Sequence, residues 1–208
     1  HRTVGTVISA FMEGEKLDFD VWYERALEER GIRRRLEEVK EKSKRVWDYT
    51  YVNCESRFMN RVSQQPYASR RDSMVTALPF LVEHRVTGEL LGLSGLLSVD
   101  CYDYLHSIVF DIKVSEDEME WYKLYPTGYA VVLESVYEVP VDVGCTIYVK
   151  FQGDRLVVKK DLFFVSDGLR SWWLEERDRK LEIVAQRKDP GIPSKCPEDC
   201  MYWGECRD

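Results

Sequence analysis

The amino-acid sequence predicts an α/β fold with a mixed central sheet, an N-terminal helical region and a cysteine-rich C-terminal tail. The hydrophobic period changes from helical to strand-like near residue 78, and three strand-like segments then follow with short connections. A helical segment separates these strands from two more. This order favours helices layered on a mixed sheet. We therefore divide the chain into a helical region (1–75), a core (76–188) and a tail (189–208).

The composition is that of a folding domain with no global preference for nucleic acid. The 208 residues are 44% hydrophobic, enough to bury a core, and the net charge is -7. Any nucleic-acid contact must therefore come from a local basic patch. Neither an apolar run of about 18 residues nor a signal-peptide pattern occurs, which predicts a cytoplasmic protein. The chain starts at His1, as though within a helix, and we expect residues upstream of it.

The first half of the chain is predicted to be helical. Residues from Phe19 to Val62 follow a helical period that Gly31 interrupts, which indicates two helices. Between Arg30 and Arg45 there are eight basic residues and three acidic ones. This cluster could follow a phosphate backbone, or it could be a solvated helix with i,i+4 ion pairs such as Glu38 with Lys42.

The next segments predict a loop and then an antiparallel meander. The predicted order is a loop at Gln64–Ser73, a strand at Leu78–Val86, a turn at Thr87–Gly88, a strand at Glu89–Val99, a connection at Cys101–His106 and a strand at Ser107–Val114.

The segment after the meander predicts helices that cross the sheet. Ser115 with Glu118 has the form of a capping box, so a helix is expected from about Glu116. Pro126 predicts a kink or a new helix start near Tyr125. The apolar stretch from Thr127 to Tyr137 should then pack on the sheet.

A hairpin and a last helix complete the predicted core. The strands are expected at Asp142–Phe151 and Arg155–Val165, joined by a turn at Gln152–Asp154. Ser166 can cap a helix at Asp167–Arg187, which Asp189, Pro190 and Gly191 would end.

Two aspartates and a lysine form the most informative pattern in the sequence. Asp100 and Asp111 end apolar runs, and Lys113 lies two residues beyond Asp111, on the same face of the predicted strand. A divalent-metal phosphodiesterase uses such carboxylates to hold Mg²⁺ or Mn²⁺ and a lysine to stabilise developing charge. A solvated surface is the alternative, although charges within such an apolar run are costly unless paired or metal-bound.

The tail carries three closely spaced cysteines, Cys196, Cys200 and Cys206. In a chain that looks cytoplasmic they favour a metal or cluster over disulfides, and both zinc and an iron–sulfur cluster would require a fourth ligand. Cys54 or a cysteine upstream of His1 could supply it.

The remaining two thiols, Cys101 and Cys145, are predicted to be packed core residues.

Several motifs together resemble one family. They are G-L-S-x-x-L-x-V-D ending at Asp100, V-F-D-I-K ending at Lys113, T-G-Y-A-V-V-L-E from Thr127, V-P-V-D-V-G-C ending at Cys145, the L-R-S-W-W-L-E-E-R-D helix, and the D-P-G-I-P-S-K-C-P-E-D-C tail. Between about Pro79 and Cys206 the chain resembles the CRISPR-associated RecB-like exonucleases with an iron–sulfur cluster, the Cas-four family, in its archaeal Csa-one branch.

This resemblance implies a restriction-endonuclease-like core of the PD-(D/E)xK type. It implies Mg²⁺ or Mn²⁺ bound by Asp100, Asp111 and the carbonyl of Ile112, with Lys113 as the catalytic lysine and Tyr129 as the tyrosine of a Gln-x-x-x-Tyr motif. The three tail cysteines would hold the cluster. The implied activity is a DNA exonuclease that trims DNA with single-stranded ends for spacer acquisition, alongside CRISPR integration proteins, and the chain could form a homo-oligomer.

Two positions depart from the family pattern. Gly5 stands where a metal-binding histidine is expected, with His1 one turn earlier, and Tyr125 stands where the motif has glutamine. The main alternative is therefore a catalytically weakened, cluster-containing subunit that binds DNA or acts as a scaffold. A zinc-tailed protein unrelated to nucleases is a second alternative, but it leaves Asp100 and Asp111 unexplained.

Overall fold

A computed structural model describes residues 2–30, 36–115, 117–189 and 191 of the chain. Outside them lie His1, Arg33 to Arg35 of the basic cluster, Pro190, and the tail cysteines Cys196, Cys200 and Cys206. Within the described residues the helices are α1 (Arg2–Glu13), α2 (Phe19–Arg30), α3 (Leu36–Gln64), α4 (Arg70–Ala77), α5 (Leu124–Tyr137) and α6 (Asp167–Ala185), and the strands are β1 (Phe80–Val86), β2 (Leu97–Asp103), β3 (Ile108–Val114), β4 (Val143–Gln152) and β5 (Arg155–Phe164).

The five strands form one mixed sheet in the order β1-β2-β3-β4-β5. The β1–β2, β2–β3 and β4–β5 pairs are antiparallel, whereas β3 and β4 are parallel. A parallel pair needs a crossover connection, and α5 supplies it here. The predicted α/β class with a mixed central sheet is confirmed.

The chain divides into two compact units, residues 1–170 and 171–208. The first unit contains the sheet, α1 to α5 and the start of α6, and it also contains the site described below. In the second unit, the described part of α6 carries Arg177, whose guanidinium bonds Asp178 at 2.6 Å and lies 5.8 Å from the ring centroid of Trp173.

One face of the sheet packs against α5. Val109 of β3 and Ala130 and Leu133 of α5 are completely buried there, together with Val99 of β2. Burial of this apolar area supplies the main free energy that holds α5 on the strands.

The opposite face is covered by α1, α3 and α4. Ile8, Cys54, Phe58 and Met74 form its buried cluster, and Phe80 of β1 packs against it. A third cluster joins α1 to α2 and α3 through Val7, Phe19, Tyr23 and Trp47. The strands of the sheet therefore lie between two helical layers.

The second strand of the meander differs from its predicted position. Residues Glu89–Leu91 form a short 3₁₀ helix that ends at Gly92, whose φ of 69° lies in the left-handed region, and β2 begins only at Leu97. The strand runs through Cys101 to Asp103. The carboxylate of Asp103 then accepts bonds from the backbone N–H groups of Leu105 and His106, at 3.1 and 3.0 Å, and this closes the turn.

The predicted loop at Gln64–Ser73 contains the start of a helix. Helix α4 begins at Arg70, and the Ser69 hydroxyl caps it by accepting a bond from the Asp72 N–H at 3.1 Å. Met74 and Ala77 are buried against α3 and the sheet. The capping serine was the available sequence signal, and tertiary burial stabilises a helix of only eight residues.

The capping box predicted at Ser115 does not start an α-helix. The Ser115 hydroxyl accepts from the Asp117 N–H at 3.2 Å, which forms a local turn, and the first helical residues are the 3₁₀ turn Glu120–Lys123. Helix α5 begins at Leu124, so the predicted helix start near Tyr125 is confirmed.

The predicted hairpin and last helix are confirmed as elements. β4 and β5 are joined at Gly153 and Asp154, and the Leu169 N–H bonds the Ser166 hydroxyl at 3.3 Å at the start of α6. None of the described helices is both long and apolar enough to span a membrane.

Candidate active site

Asp100 and Asp111 lie on the adjacent central strands β2 and β3. The antiparallel ladder between these strands ends at the pair Cys101–Phe110. Continued by one residue, the register brings Asp100 opposite Asp111. Side chains at opposite positions of antiparallel strands have Cβ atoms about 5 Å apart. The fold therefore brings together the two carboxylates that the sequence singled out.

The ladder between β1 and β2 is irregular at the level of Asp100. Val99 and Tyr102 both belong to the core under α5, although residues three apart in a regular strand point to opposite faces. At the same level of the sheet, between the pairs Val82–Cys101 and His84–Val99, Glu83 has a φ of 46°. A left-handed φ is costly for a residue with a side chain, and such local distortions are frequent beside functional sites.

Tyr129 of α5 bonds Asp100 and lies within electrostatic reach of Asp111. Its hydroxyl donates a bond to Oδ1 of Asp100 at 3.2 Å. Burial, followed by the negative charges of Asp100 and Asp111, raises the pKa of Tyr129 well above its usual range. Tyr129 therefore stays protonated and keeps its role as a donor, and both carboxylates are close enough to act on its hydroxyl.

Asp111 is paired with Lys113, as the two-residue strand spacing predicted. The Asp111 side chain is 3% exposed, and its carboxylate lies 3.1 Å from Nζ of Lys113. A carboxylate this deeply buried is tolerated because an opposite charge is adjacent. The alternative of a solvated surface pair is wrong for Asp111.

Lys113 also contacts aromatic rings. Its Nζ lies 3.3 Å from the ring centroid of Tyr125 and 5.5 Å from that of Tyr122. A cation at this distance from a ring face is attracted by the quadrupole of the ring. Tyr125, which stands where the family motif has glutamine, thus holds the lysine through its ring.

Helix α5 presents Tyr125 and Tyr129 on one face, because residues four apart lie one turn above each other. The start of the helix is fixed by Pro126, which suits a first helical turn, and by the Thr127 hydroxyl, which bonds the Lys123 carbonyl at 2.8 Å.

Sequence reasoning identified Tyr129 but not the part played by Tyr125. The i,i+4 spacing of the two tyrosines was the signal that could have found it.

The donor set fits a hard divalent cation with few protein ligands. Mg²⁺ is commonly held by one or two carboxylates and keeps several waters, which match Asp100 and Asp111. Among the described residues there is no group of three His, Cys, Asp or Glu side chains that could hold a metal. The carbonyl of Ile112 lies between Asp111 and Lys113 in the chain, and the side chain of Ile112 lines a cavity with Val4 and Ile8 on the other face.

Gly5 of α1 lies close to β1. A Cβ on Gly5 would lie 2.9 Å from Cγ1 of Val82, so α1 and β1 touch there. A larger residue at this position would require the Val82 side chain to shift, beside a cavity that Gly5, Ser9 and Glu83 line.

Lys40, Lys42, Lys44 and Arg45 of the basic cluster are engaged in ion pairs. Lys40 contacts Asp20 at 2.8 Å, and Arg45 contacts Asp154 at 3.0 Å. The pairs within α3 are Glu38 with Lys42, Glu41 with Arg45, and Lys44 with Asp48. For these residues the structure favours the solvated, ion-paired helix over a bare phosphate-binding surface.

The three described cysteines are separate core thiols, as predicted for Cys101 and Cys145. Burial raises the pKa of Cys54 and Cys145 to about 11 and that of Cys101 to about 12. Cys54 is 3% exposed and packs with Ile8 and Phe58.

Comparison with known proteins identifies one family. The family model described as "CRISPR-associated exonuclease Csa1" matches residues 1–208. A protein named CRISPR-associated exonuclease Csa1 from Saccharolobus solfataricus is 34% identical over 165 residues, which are 79% of this chain and 56% of the relative. A protein of the same name from Thermoproteus tenax is 26% identical over 171 residues, which are 82% of this chain and 59% of the relative. The chain thus spans less than two thirds of the length of these relatives.

Proposed function

Because this chain belongs to the family of the CRISPR-associated exonuclease Csa1, we propose that it is a metal-dependent DNA exonuclease that hydrolyses phosphodiester bonds at DNA ends. The observation that carries the proposal is the convergence of Asp100, Asp111, Lys113 and Tyr129 at the centre of the sheet. Rigid strands position the carboxylates, and α5 closes the site from one side. The proposal includes a restriction-endonuclease-like core.

Each residue has a role that its contacts support. Asp100, Asp111 and the carbonyl of Ile112 would hold Mg²⁺ or Mn²⁺, which when bound activates a water and neutralises the scissile phosphate. Tyr129 keeps the Asp100 carboxylate oriented by donating to Oδ1. Lys113, held between Asp111 and the ring of Tyr125, places a positive charge beside the position of the phosphate.

The biological substrate is proposed to be DNA with single-stranded ends, trimmed for spacer acquisition in the cytoplasm. CRISPR integration proteins would be the partners, and the chain could act as a homo-oligomer. The names of the relatives support a CRISPR-associated exonuclease. The family resemblance adds the expectation of end trimming.

An iron–sulfur cluster on Cys196, Cys200 and Cys206 is the second part of the proposal. These residues lie outside the described part of the chain, so the proposal rests on their spacing and on the family resemblance. Such a cluster would need a fourth ligand beside these three cysteines.

A catalytically weakened, DNA-binding or scaffolding subunit is the alternative. Two observations favour it: Gly5 stands where the resemblance leads us to expect a metal-binding histidine, and Tyr125 stands where the motif has glutamine. Such a protein would bind DNA and hold the cluster but cleave slowly.

The decisive experiment measures cleavage of single- and double-stranded DNA labelled at the 5′ or 3′ end. We expect progressive shortening with Mg²⁺ or Mn²⁺ and none with a chelator, and the labelled end that disappears first gives the polarity. Tight binding without shortening would favour the alternative. The absence of both DNA binding and shortening would contradict both functions.

A further inference from the structure

Three aromatic side chains are clustered next to the candidate active site. This aromatic platform consists of Trp121, Tyr122 and Tyr125, from the 3₁₀ turn and the first turn of α5. The ring centroid of Trp121 lies 4.4 Å from that of Tyr122 and 6.1 Å from that of Tyr125. Trp121 nevertheless remains 45% exposed and Tyr125 44%. Two large rings therefore show part of their surface to solvent while their positions are fixed by their neighbours.

The platform adjoins the reactive groups directly. Tyr125 and Asp111 are both in contact with Nζ of Lys113, at 3.3 Å and 3.1 Å. A DNA strand with a phosphate at Asp111 and Lys113 would therefore have its neighbouring nucleotide beside Tyr125 and Trp121. Bases of a single strand are unpaired, so their faces are available for stacking on such rings.

The acidic side chains Glu118 and Glu120 near the platform are paired with lysines. Glu120 lies 3.1 Å from Lys123, and Glu118 contacts Lys150 and Lys159. Each acidic side chain named here is thus neutralised by a lysine, which reduces repulsion of phosphates. Lys113 also places a positive charge next to the rings of Tyr122 and Tyr125.

We propose that the aromatic platform binds the bases of a single-stranded DNA end by stacking, with Trp121 as the principal base-binding residue. The inference rests on the proposed nuclease function and extends it to how the substrate is held. Ring faces next to a cation suit a base joined to a phosphate, and stacking is tolerant of sequence because every base has a π-face. A strand end would be held in the same register whatever its sequence.

The test compares binding of a short oligothymidylate with binding of an abasic strand of the same length, by fluorescence anisotropy in a chelator so that no cleavage occurs. Trp121→Ala should weaken oligothymidylate binding by about 5- to 100-fold and leave abasic binding unchanged. Trp121→Phe, which keeps a ring, should restore most of the affinity. Tyr67→Ala is the matched control, since Tyr67 is a fully exposed aromatic residue between α3 and α4.

Equal affinity of the parent for both strands, or parental affinity of the Trp121→Ala variant, would overturn the inference. A cooperative thermal transition for each variant excludes misfolding as the cause of weak binding. Different results would contradict the stacking inference and the nuclease proposal. Base-dependent binding through Trp121 without any metal-dependent cleavage contradicts only the nuclease activity, whereas cleavage with unchanged binding in Trp121→Ala contradicts only the stacking.

Discussion

Lys113 and Asp111 form the most consequential residue pair in the chain. A carboxylate that is 3% exposed would cost several kcal/mol if it lacked an opposite charge, yet the lysine and the ring of Tyr125 make the arrangement tolerable. Such a pair contributes little net stability compared with apolar residues of the same size. Its presence in the middle of the sheet therefore points to a role in chemistry.

The first prediction is that Asp111→Asn and Lys113→Met each reduce metal-dependent cleavage by at least about 100-fold, because each removes a charge from the reacting centre. The double variant Asp111→Asn/Lys113→Met removes both charges, so no unpaired charge is left buried. It should therefore unfold cooperatively near the parental melting temperature. Cleavage rates and thermal unfolding curves provide the measurements.

Asp154→Asn is the control for this prediction, because Asp154 lies at the β4–β5 turn with a fully exposed side chain. It should cleave like the parent. Parental cleavage by pure Asp111→Asn protein would refute the site.

The second prediction concerns Tyr125 as a positioning residue. Tyr125→Phe keeps the ring under Lys113 and should retain most of the cleavage rate. Tyr125→Leu removes the cation–π contact and should lower the rate by about 2- to 30-fold, corresponding to the usual range of this interaction. Single-turnover rates at saturating DNA separate this effect from binding. Equal rates for the two variants would show that the ring does not position the lysine.

The third prediction concerns Cys54, whose pKa is raised from 9.0 to about 11 by burial. At pH 8 its thiolate fraction should be about 100-fold lower than for a free thiol, so alkylation of the folded protein should be correspondingly slow. A raised pKa means that the thiol contributes stability below pH 9 that is lost as the pH rises from 9 to 11, because the unfolded chain ionises first.

Urea unfolding at pH 8 and pH 10 measures this effect, with Cys54→Ala as the comparison. The variant should lose less stability than the parent between the two pH values. Rapid alkylation of Cys54 in the folded protein at pH 8 would contradict its place in the core.

At the scale of elements, α5 determines the site more than any other helix. It joins β3 to β4, buries Ala130 and Leu133 on the sheet, and presents Tyr125 and Tyr129 to the aspartates. Its approach to the strands depends on a glycine in β4. A Cβ on Gly144 would lie 2.6 Å from the Phe163 ring and 3.2 Å from Cβ of Pro126, so a larger residue would force the helix or the ring to move.

The fourth prediction follows from this contact. Gly144→Ala should lower the free energy of unfolding by about 1 to 3 kcal/mol, as overpacking does in close-packed interiors, and should also reduce cleavage because Tyr125 and Tyr129 would shift. Gly168→Ala is the matched control, since its nearest contact would be the Ser166 hydroxyl at 3.7 Å. Chemical denaturation measures both variants, and equal stability for the two would show that α5 does not rely on Gly144.

At the scale of the molecule, a sheet between two helical layers carries the site in its middle. Most of the fold needs no metal, because three apolar clusters hold α1 to α5 on the strands and on one another. We therefore expect the tail cysteines to stabilise the C-terminal segment through a cluster, with the chemistry left to Asp100, Asp111 and Lys113.

The fifth prediction is that Cys200→Ser bleaches the visible absorbance of the protein and lowers its melting temperature, while cleavage per folded molecule is largely kept well below that temperature. Cys145→Ala is the control, because it removes a thiol within β4, and this variant should keep the visible absorbance. A Cys200→Ser protein that melts like the parent but cannot cleave would give the cluster a direct part in DNA binding or chemistry.

Most helices and strands could be predicted from the sequence, because an element with one buried face repeats its apolar residues at a regular spacing. The strand alternation from Val82 onward, the apolar run of α5 and the turn at Gly153 are local signals, and they were sufficient for the α/β class and the mixed sheet. Local signals failed where side chains bond their own backbone. Ser69 starts a helix that was predicted as loop, and Ser115 closes a turn that was predicted as helix.

The sequence by itself predicted which residues would carry the chemistry, through the order and spacing of Asp100, Asp111 and Lys113. Only the tertiary structure decided what surrounds them. The ring of Tyr125 at Lys113, the bond from Tyr129 to Asp100 and the close approach of Gly5 to Val82 all join residues far apart in sequence. Such contacts depend on how β1, β2, β3, α1 and α5 pack together. The spacing of residues within a single segment carries no information about that packing.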